Sequence, residues 1–199
     1  RFIGCICPGQ PVRRTNMNGN SVTIEAIAKK VASLIRLLGN RYYPIIVLVD
    51  KENREEPFQD LVEELHQCIL GHGLDDQDIR IGFADRMIEN WIVADFEKIG
   101  DIENKPVQTD GLNGASLIKK NRGRYNKVID GVELLLMVDR SVVYRESPSY
   151  KDFIGKLEGI DCEYLNFDKM WDFPFDLPTQ VSAGLSQRGW FQYHFHFLK

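Results

Sequence analysis

Apolar residues along this chain follow two spacings. Tyr43-Pro44-Ile45-Ile46-Val47-Leu48-Val49 is a continuous run, rich in β-branched residues, that stops at Asp50-Lys51-Glu52-Asn53-Arg54. A short run of this kind predicts a buried strand of a parallel sheet covered on both faces. Phe2–Cys7 and Asp78–Ala84 read as two further strands. Between them the spacing changes to that of a helix. Ile24, Ile27, Ala28, Val31, Leu34, Ile35 and Leu38 predict a helix over Val22–Leu38, with Ser21 as its cap and Gly39-Asn40 as its stop. Pro57 opens a second helix to about Leu70, with Phe58, Leu61, Val62, Leu65 and Ile69 on one face. Met87, Ile88, Trp91, Ile92 and Ala94 predict a third, running through Ile99. Strand and helix alternating in this way predict an α/β fold: a parallel sheet flanked by helices, joined by right-handed crossovers.

The pattern changes after Gly100. Residues 1–100 read as the α/β core, 101–165 as a smaller helical part of the same domain, and 166–199 as an aromatic-rich tail. Pro8–Asn20 and Asp101–Gly114 have loop composition. Asn126–Val138 and Ser149–Leu157 read as helices, and Cys162–Leu165 as a last strand. Trp190–Phe197 partly alternates apolar and polar residues, as an added edge strand or a partner-binding segment would. Arg1–Cys7 places the first residues inside an apolar strand, so the natural protein is expected to extend upstream.

Composition bounds the function classes. The 199 residues are 43% hydrophobic and 27% charged, normal for a globular core. A net charge of −4 means that any nucleic-acid contact must use local basic patches. No apolar run approaches a membrane span, and Phe2–Cys7 is too short for a signal peptide. Cys5, Cys7, Cys68 and Cys162 read as free thiols of a reducing compartment, so a cytoplasmic protein without membrane contact is expected. Cys5 and Cys7 alternate across a strand and cannot easily share a metal.

Chemistry concentrates at the strand ends. In open α/β sheets ligands bind beyond the carboxyl ends of the strands. Asp50 and Glu52 stand there, and two carboxylates on one turn suit a hard divalent cation; they equally suit a solvated turn. Asp85 closes the third strand and Glu89 falls in the first turn of the next helix, where both could converge on the same rim. Glu89 also suits the helix N-terminus through the backbone dipole alone. Asp95 falls near the middle of that amphipathic helix, on an exposed position. Lys119, Lys120, Arg122 and Arg124, with Lys127, Arg13 and Arg14 as allies, could contact phosphates, or form a solvated charged loop. His66, Cys68 and His72 lack the frame of a zinc site. The chain carries no GxxxxGK[ST], GxGxxG or GxSxG, which removes support for P-loop, Rossmann and serine-hydrolase chemistry.

Three blocks in order resemble the DUF4276 family. They are Val47-Leu48-Val49-Asp50-Lys51-Glu52, then Arg86-Met87-Ile88-Glu89-Asn90-Trp91-Ile92-Val93-Ala94-Asp95, then Ser147-Pro148-Ser149-Tyr150-Lys151-Asp152-Phe153. That family shows a strand ending in D-x-D, an E-x-W-x-x-A-D helix and an S-P-S-[FY] helix. The resemblance covers residues 1–165 and implies a Toprim-like fold. It implies a Mg²⁺- or Mn²⁺-dependent nuclease subunit acting on nucleic-acid phosphodiesters, in an anti-phage defence system with an ATPase partner. Asp50 and Glu52 match the D-x-D pair, with Glu in the second place, and would ligate the metal. Glu89 would ligate it or orient water, and Glu89 and Asp95 match the acids of the second block. Toprim domains also carry a Glu, usually followed by Gly, after their first strand. No Glu precedes Glu25 here, and Glu158-Gly159 lies far downstream. Either that strand lies upstream of Arg1, or the catalytic set is incomplete. The incomplete set implies the alternative of a non-catalytic module that regulates an ATPase partner.

Overall fold

The structure is a computed structural model that describes residues 12–15, 22–38, 42–100, 105–160 and 194–198. Along the chain run β1 (Val12–Thr15), α1 (Ile24–Leu38), β2 (Ile45–Asp50), α2 (Phe58–Leu70), β3 (Ile79–Ala84) and α3 (Glu89–Ala94). After a 3-10 turn at Phe96–Lys98 come α4 (Gly114–Arg122), α5 (Asp130–Met137), α6 (Arg140–Glu146), α7 (Pro148–Lys156) and β4 (His194–Leu198). The four strands form one small parallel sheet in the order β1-β4-β2-β3. The expected α/β class is what these described residues adopt.

Side-chain alternation on β2 explains the layering. All six residues of β2 are buried, because both faces of the strand are covered. Ile45, Val47 and Val49 face one way and join Ile79, Ile81 and Phe83 under α1 and α2. Ile46 and Leu48 face the other way and join the apolar residues of α3 through α7. Asp50 continues the Ile46–Leu48 face by the period of two, so its carboxylate emerges on the side of the C-terminal helices. Residues 105–160 thus cover one face of β2 and β3 and form a core with them.

Close approach fixes α7 on that face. Phe153 lies over Gly82 of β3, where a Cβ would come within 3.2 Å of the Phe153 ring. The start of α7 is set by its sequence. Ser147 caps the helix by accepting a hydrogen bond from the Tyr150 amide, and Pro148 fills the first helical position, where no donor is needed.

Several boundaries differ from the sequence expectation. Val12–Thr15 is a strand although Pro8–Asn20 has loop composition; pairing with β4 overrides local propensity there. The C-terminal strand His194–Leu198 is not an edge: it lies between β1 and β2. The third helix ends at Ala94 rather than continuing regularly to Ile99, because Asp95 leaves helical geometry and binds elsewhere. The helix at Arg140–Glu146 was not expected; Asp139 caps it through the amides of Ser141 and Val142. The basic cluster begins in a helix, α4, rather than in a loop. The expected strands Phe2–Cys7 and Cys162–Leu165 lie outside the described residues.

Candidate functional site

The carboxyl ends of β2 and β3 are joined beyond the sheet. Register pairs Asp50 with Ala84, then the Lys51 amide donates to the Ala84 carbonyl (2.9 Å) and the Glu52 amide to the Arg86 carbonyl (2.7 Å). Glu52 and Arg86 both adopt positive φ, 59° and 66°. Left-handed backbone at a residue with a Cβ costs roughly 1–2 kcal/mol and gathers where function dictates geometry. The two turns thereby hold a single rim.

Asp50 and Glu89 meet on this rim, each almost wholly buried at 7% and 1% exposure. Asp50 Oδ1 accepts the Ile88 amide at 3.0 Å, which ties the strand end to the start of α3. Glu89 is the first residue of α3, where the helix dipole favours a carboxylate. Lys127, from the turn before α5, bridges the pair. Its Nζ lies 2.8 Å from Glu89 Oε1, 2.9 Å from Oε2 and 3.6 Å from Asp50 Oδ2. The Tyr125 hydroxyl also donates to Glu89 Oε1, at 3.3 Å. Burial, then the Glu89 charge, pushes the Tyr125 phenol far up, so it keeps its proton and remains a donor.

The other expected residues fall in different places. Asp85 pairs with Lys51 (3.1 Å), a neighbouring ion pair on the same rim. Glu52 is partly buried, and its Oε2 has no hydrogen-bond partner among the described residues. Asp95 is buried rather than exposed and accepts the Asp139 amide at 2.7 Å, pinning the cap of α6. Burial raises its pKa against that hydrogen bond. Asp95 therefore supports the scaffold and stands away from the rim contacts. Lys119, Lys120 and Arg122 are exposed on the last turn of α4, with Arg124 exposed just beyond, whereas Lys127 turns to the acids. Among the described residues, no three His, Cys, Asp or Glu side chains form a ready metal cage.

A second buried polar group escaped the sequence reasoning. Asp110 accepts from Ser147 Oγ (2.7 Å) and the Ser149 amide (2.8 Å), and Ser149 Oγ accepts from Trp91 Nε1 (3.0 Å). The Ser-Pro-Ser block signalled the serines, but Asp110, in a polar loop, carried no pattern of its own. This network joins the second and third sequence blocks, while the Asp50–Ile88 bond joins the first and second.

Burial is the largest influence on the Asp110 carboxyl and raises its pKa, with hydrogen bonds from Ser149 and Ser147 opposing. A native pKa above the unfolded one means that the native state binds more protons. That contribution is full below the unfolded value near 3.8 and is lost as pH rises through the native value. Asp110→Asn, which keeps shape without the charge, should therefore gain on the wild type as pH rises from about 4 to about 7, near which other carboxylates are already ionised. Urea unfolding of both proteins at the two pH values checks this; a difference moving the other way rejects the sign.

No family model matches the chain, and no curated protein or solved structure matches it either.

Proposed function

We propose that this protein is a Mg²⁺- or Mn²⁺-dependent, nuclease-like subunit of Toprim-like fold, related to the DUF4276 family. The observation that carries the proposal is the bridged pair Asp50–Lys127–Glu89 at the carboxyl rim of a parallel sheet. The donor set fits a hard cation. Two buried carboxylates already hold a positive charge between them, in the form of an ammonium, and the Glu52 Oε2 atom on the same rim is buried without a hydrogen-bond partner among the described residues. Mg²⁺ uses one or two protein carboxylates and keeps several waters, so a larger cage is not required.

In this proposal Asp50 and Glu89 hold the ion, with Glu52 on the turn that follows Asp50. Bound there, Mg²⁺ would supply charge stabilisation for the attacking and leaving oxygens of a phosphodiester. Tyr125 keeps Glu89 oriented. Lys119, Lys120, Arg122 and Arg124 form a solvent-facing basic stretch suited to backbone phosphates. The proposed setting is anti-phage defence, with an ATPase as partner; it rests on the three-block resemblance alone. Loss of even a supporting group commonly costs a metal site 10–100-fold, so Asp50→Asn should lower Mn²⁺-dependent cleavage by roughly 100-fold or more. The assay uses purified protein with single- and double-stranded DNA and RNA. Unchanged cleavage by Asp50→Asn would remove the site assignment.

One observation favours a second function, a non-catalytic module regulating an ATPase. Lys127 already satisfies Glu89, as a purely structural ion group would. Calorimetry separates the two: a module of this kind forms the ATPase complex yet takes up no Mn²⁺ at Asp50.

A further inference from the structure

We infer that Lys127 is a tethered counter-ion that occupies the cation position of the rim and exchanges with the divalent ion. The inference rests on the proposed metal site and concerns its regulation.

Three features support exchange over a fixed ion pair. First, two carboxylates share this ammonium unequally: Nζ lies at hydrogen-bond distance from both Glu89 oxygens but 3.6 Å from Asp50. Second, burial is asymmetric. The acids are 7% and 1% exposed, whereas the Lys127 side chain is 33% exposed. The acids have little access to water, but the lysine has a path out along its four-carbon stem. Third, the backbone that carries Lys127 is fixed independently of the ion pair. Asn126 Oδ1 accepts from the Val128 and Ile129 amides, and the Asn126 amide donates to Asp130 Oδ2 at 2.7 Å. The turn keeps its shape when the side chain leaves, so only χ rotations are needed.

Exchange has two consequences. Without metal, the ammonium prevents the two acids from repelling each other and keeps the rim assembled. A divalent ion must displace it, so lysine competition weakens metal binding. The released ammonium stays tethered beside the rim, where it can meet a phosphate as a point charge.

The test uses Mg²⁺ and Mn²⁺ alone with the whole chain. In wild-type protein, the Lys127 side-chain ammonium should give a protected ¹⁵N resonance without metal, assigned by through-bond correlation to the Lys127 side-chain carbons. Saturating Mg²⁺ should return it to rapid solvent exchange. In calorimetry, Lys127→Met should bind Mn²⁺ about tenfold tighter than wild type, the size of a modest coupling between sites. Mg²⁺ should also raise its Tm more than that of wild type, because the ion replaces the missing charge. If Asp50→Asn abolishes Mn²⁺ binding but Lys127→Met binds no tighter, or the ammonium signal ignores saturating Mg²⁺, exchange is wrong and the metal site stands. If wild type and Lys127→Met both take up no Mn²⁺, the metal site itself falls, and the exchange with it. The wild-type resonance decides even where Lys127→Met folds poorly.

Discussion

Trp91→Ala is expected to cost about 3–5 kcal/mol of stability, the range for an aromatic side chain deleted from a packed core. Trp91 is fully buried. Its ring meets Tyr150 edge-on at 5.2 Å and 73°, and stacks on Phe153 at 5.2 Å and 23°. Both partners belong to α7, whose Phe153 lies against Gly82 of the sheet. Removing the indole therefore empties the centre of the layer between α3, α7 and β3. Trp91→Phe separates packing from polarity. It keeps most of the ring but loses the Nε1 bond to Ser149 Oγ, a loss of about 1–3 kcal/mol for a buried group left unpaired. Ser149 Oγ lies 3.3 Å from Ser147 Oγ, which should place the cost at the lower end. Urea unfolding monitored by circular dichroism measures both variants. The alanine effect should also reach the rim, because Glu89 stands two residues before Trp91 on the same short helix. A cost below about 1 kcal/mol for the alanine variant would show that α3 is held by something other than this cluster.

The strands β2 and β3 and helices α1 and α2 were legible because each buries a regular set of positions. Ile45–Val49 has no polar interruption, and Phe58, Leu61, Leu65 and Ile69 share one buried face. The C-terminal half was legible only in outline. Its helices are seven to nine residues long, too short for a periodic stripe to declare itself, and their limits are set by caps such as Asn113, Asp139 and Ser147. β1 is four residues, Val-Arg-Arg-Thr, with no apolar alternation at all, and only its parallel neighbour makes it a strand.

At the rim the sequence offered four acids near strand ends, Asp50, Glu52, Asp85 and Glu89. Spacing favoured Asp50 with Glu52, since they are neighbours in the chain. The fold instead joins Asp50 and Glu89 through a lysine 38 residues after Glu89, in a region whose composition grouped Lys127 with the surface basic cluster. Parallel sheets have this property in general. Groups that meet at the carboxyl ends of adjacent strands are separated in sequence by whole crossovers, so proximity along the chain is a poor guide to proximity at the site. The position of Asp95 has a local origin. Helical spacing gave it an outward position, but the helix ends just before it, and the last turn redirects its carboxylate to the Asp139 amide.

Glu89→Gln and Lys127→Met should each destabilise the metal-free protein by about 2–4 kcal/mol. Breaking a fully buried ion pair costs about 3–5 kcal/mol, because the remaining charge is stranded. The lower range applies here because the Lys127 side chain is one-third exposed and can recover some hydration. The two losses differ in kind. Glu89→Gln leaves the ammonium with Asp50 and lets it lean toward water. Lys127→Met leaves two buried carboxylates facing each other without the ammonium between them, though the Tyr125 hydroxyl and the Ile88 amide still donate to them. Lys127→Met should therefore be the more damaging single change. The double variant should cost less than the sum of the singles by about 1–3 kcal/mol, the coupling expected of side chains in direct contact. Urea unfolding of all four proteins in chelator closes the cycle, and added NaCl should change the coupling little, because buried pairs are weakly screened. Additive losses would mean that Lys127 and Glu89 do not share an interaction in solution, and the bridged rim would lose its physical basis. Strong coupling in chelator that Mg²⁺ abolishes would mark the pair as exchangeable, since a metal ion that replaces the ammonium makes the lysine irrelevant to the stability of the acids.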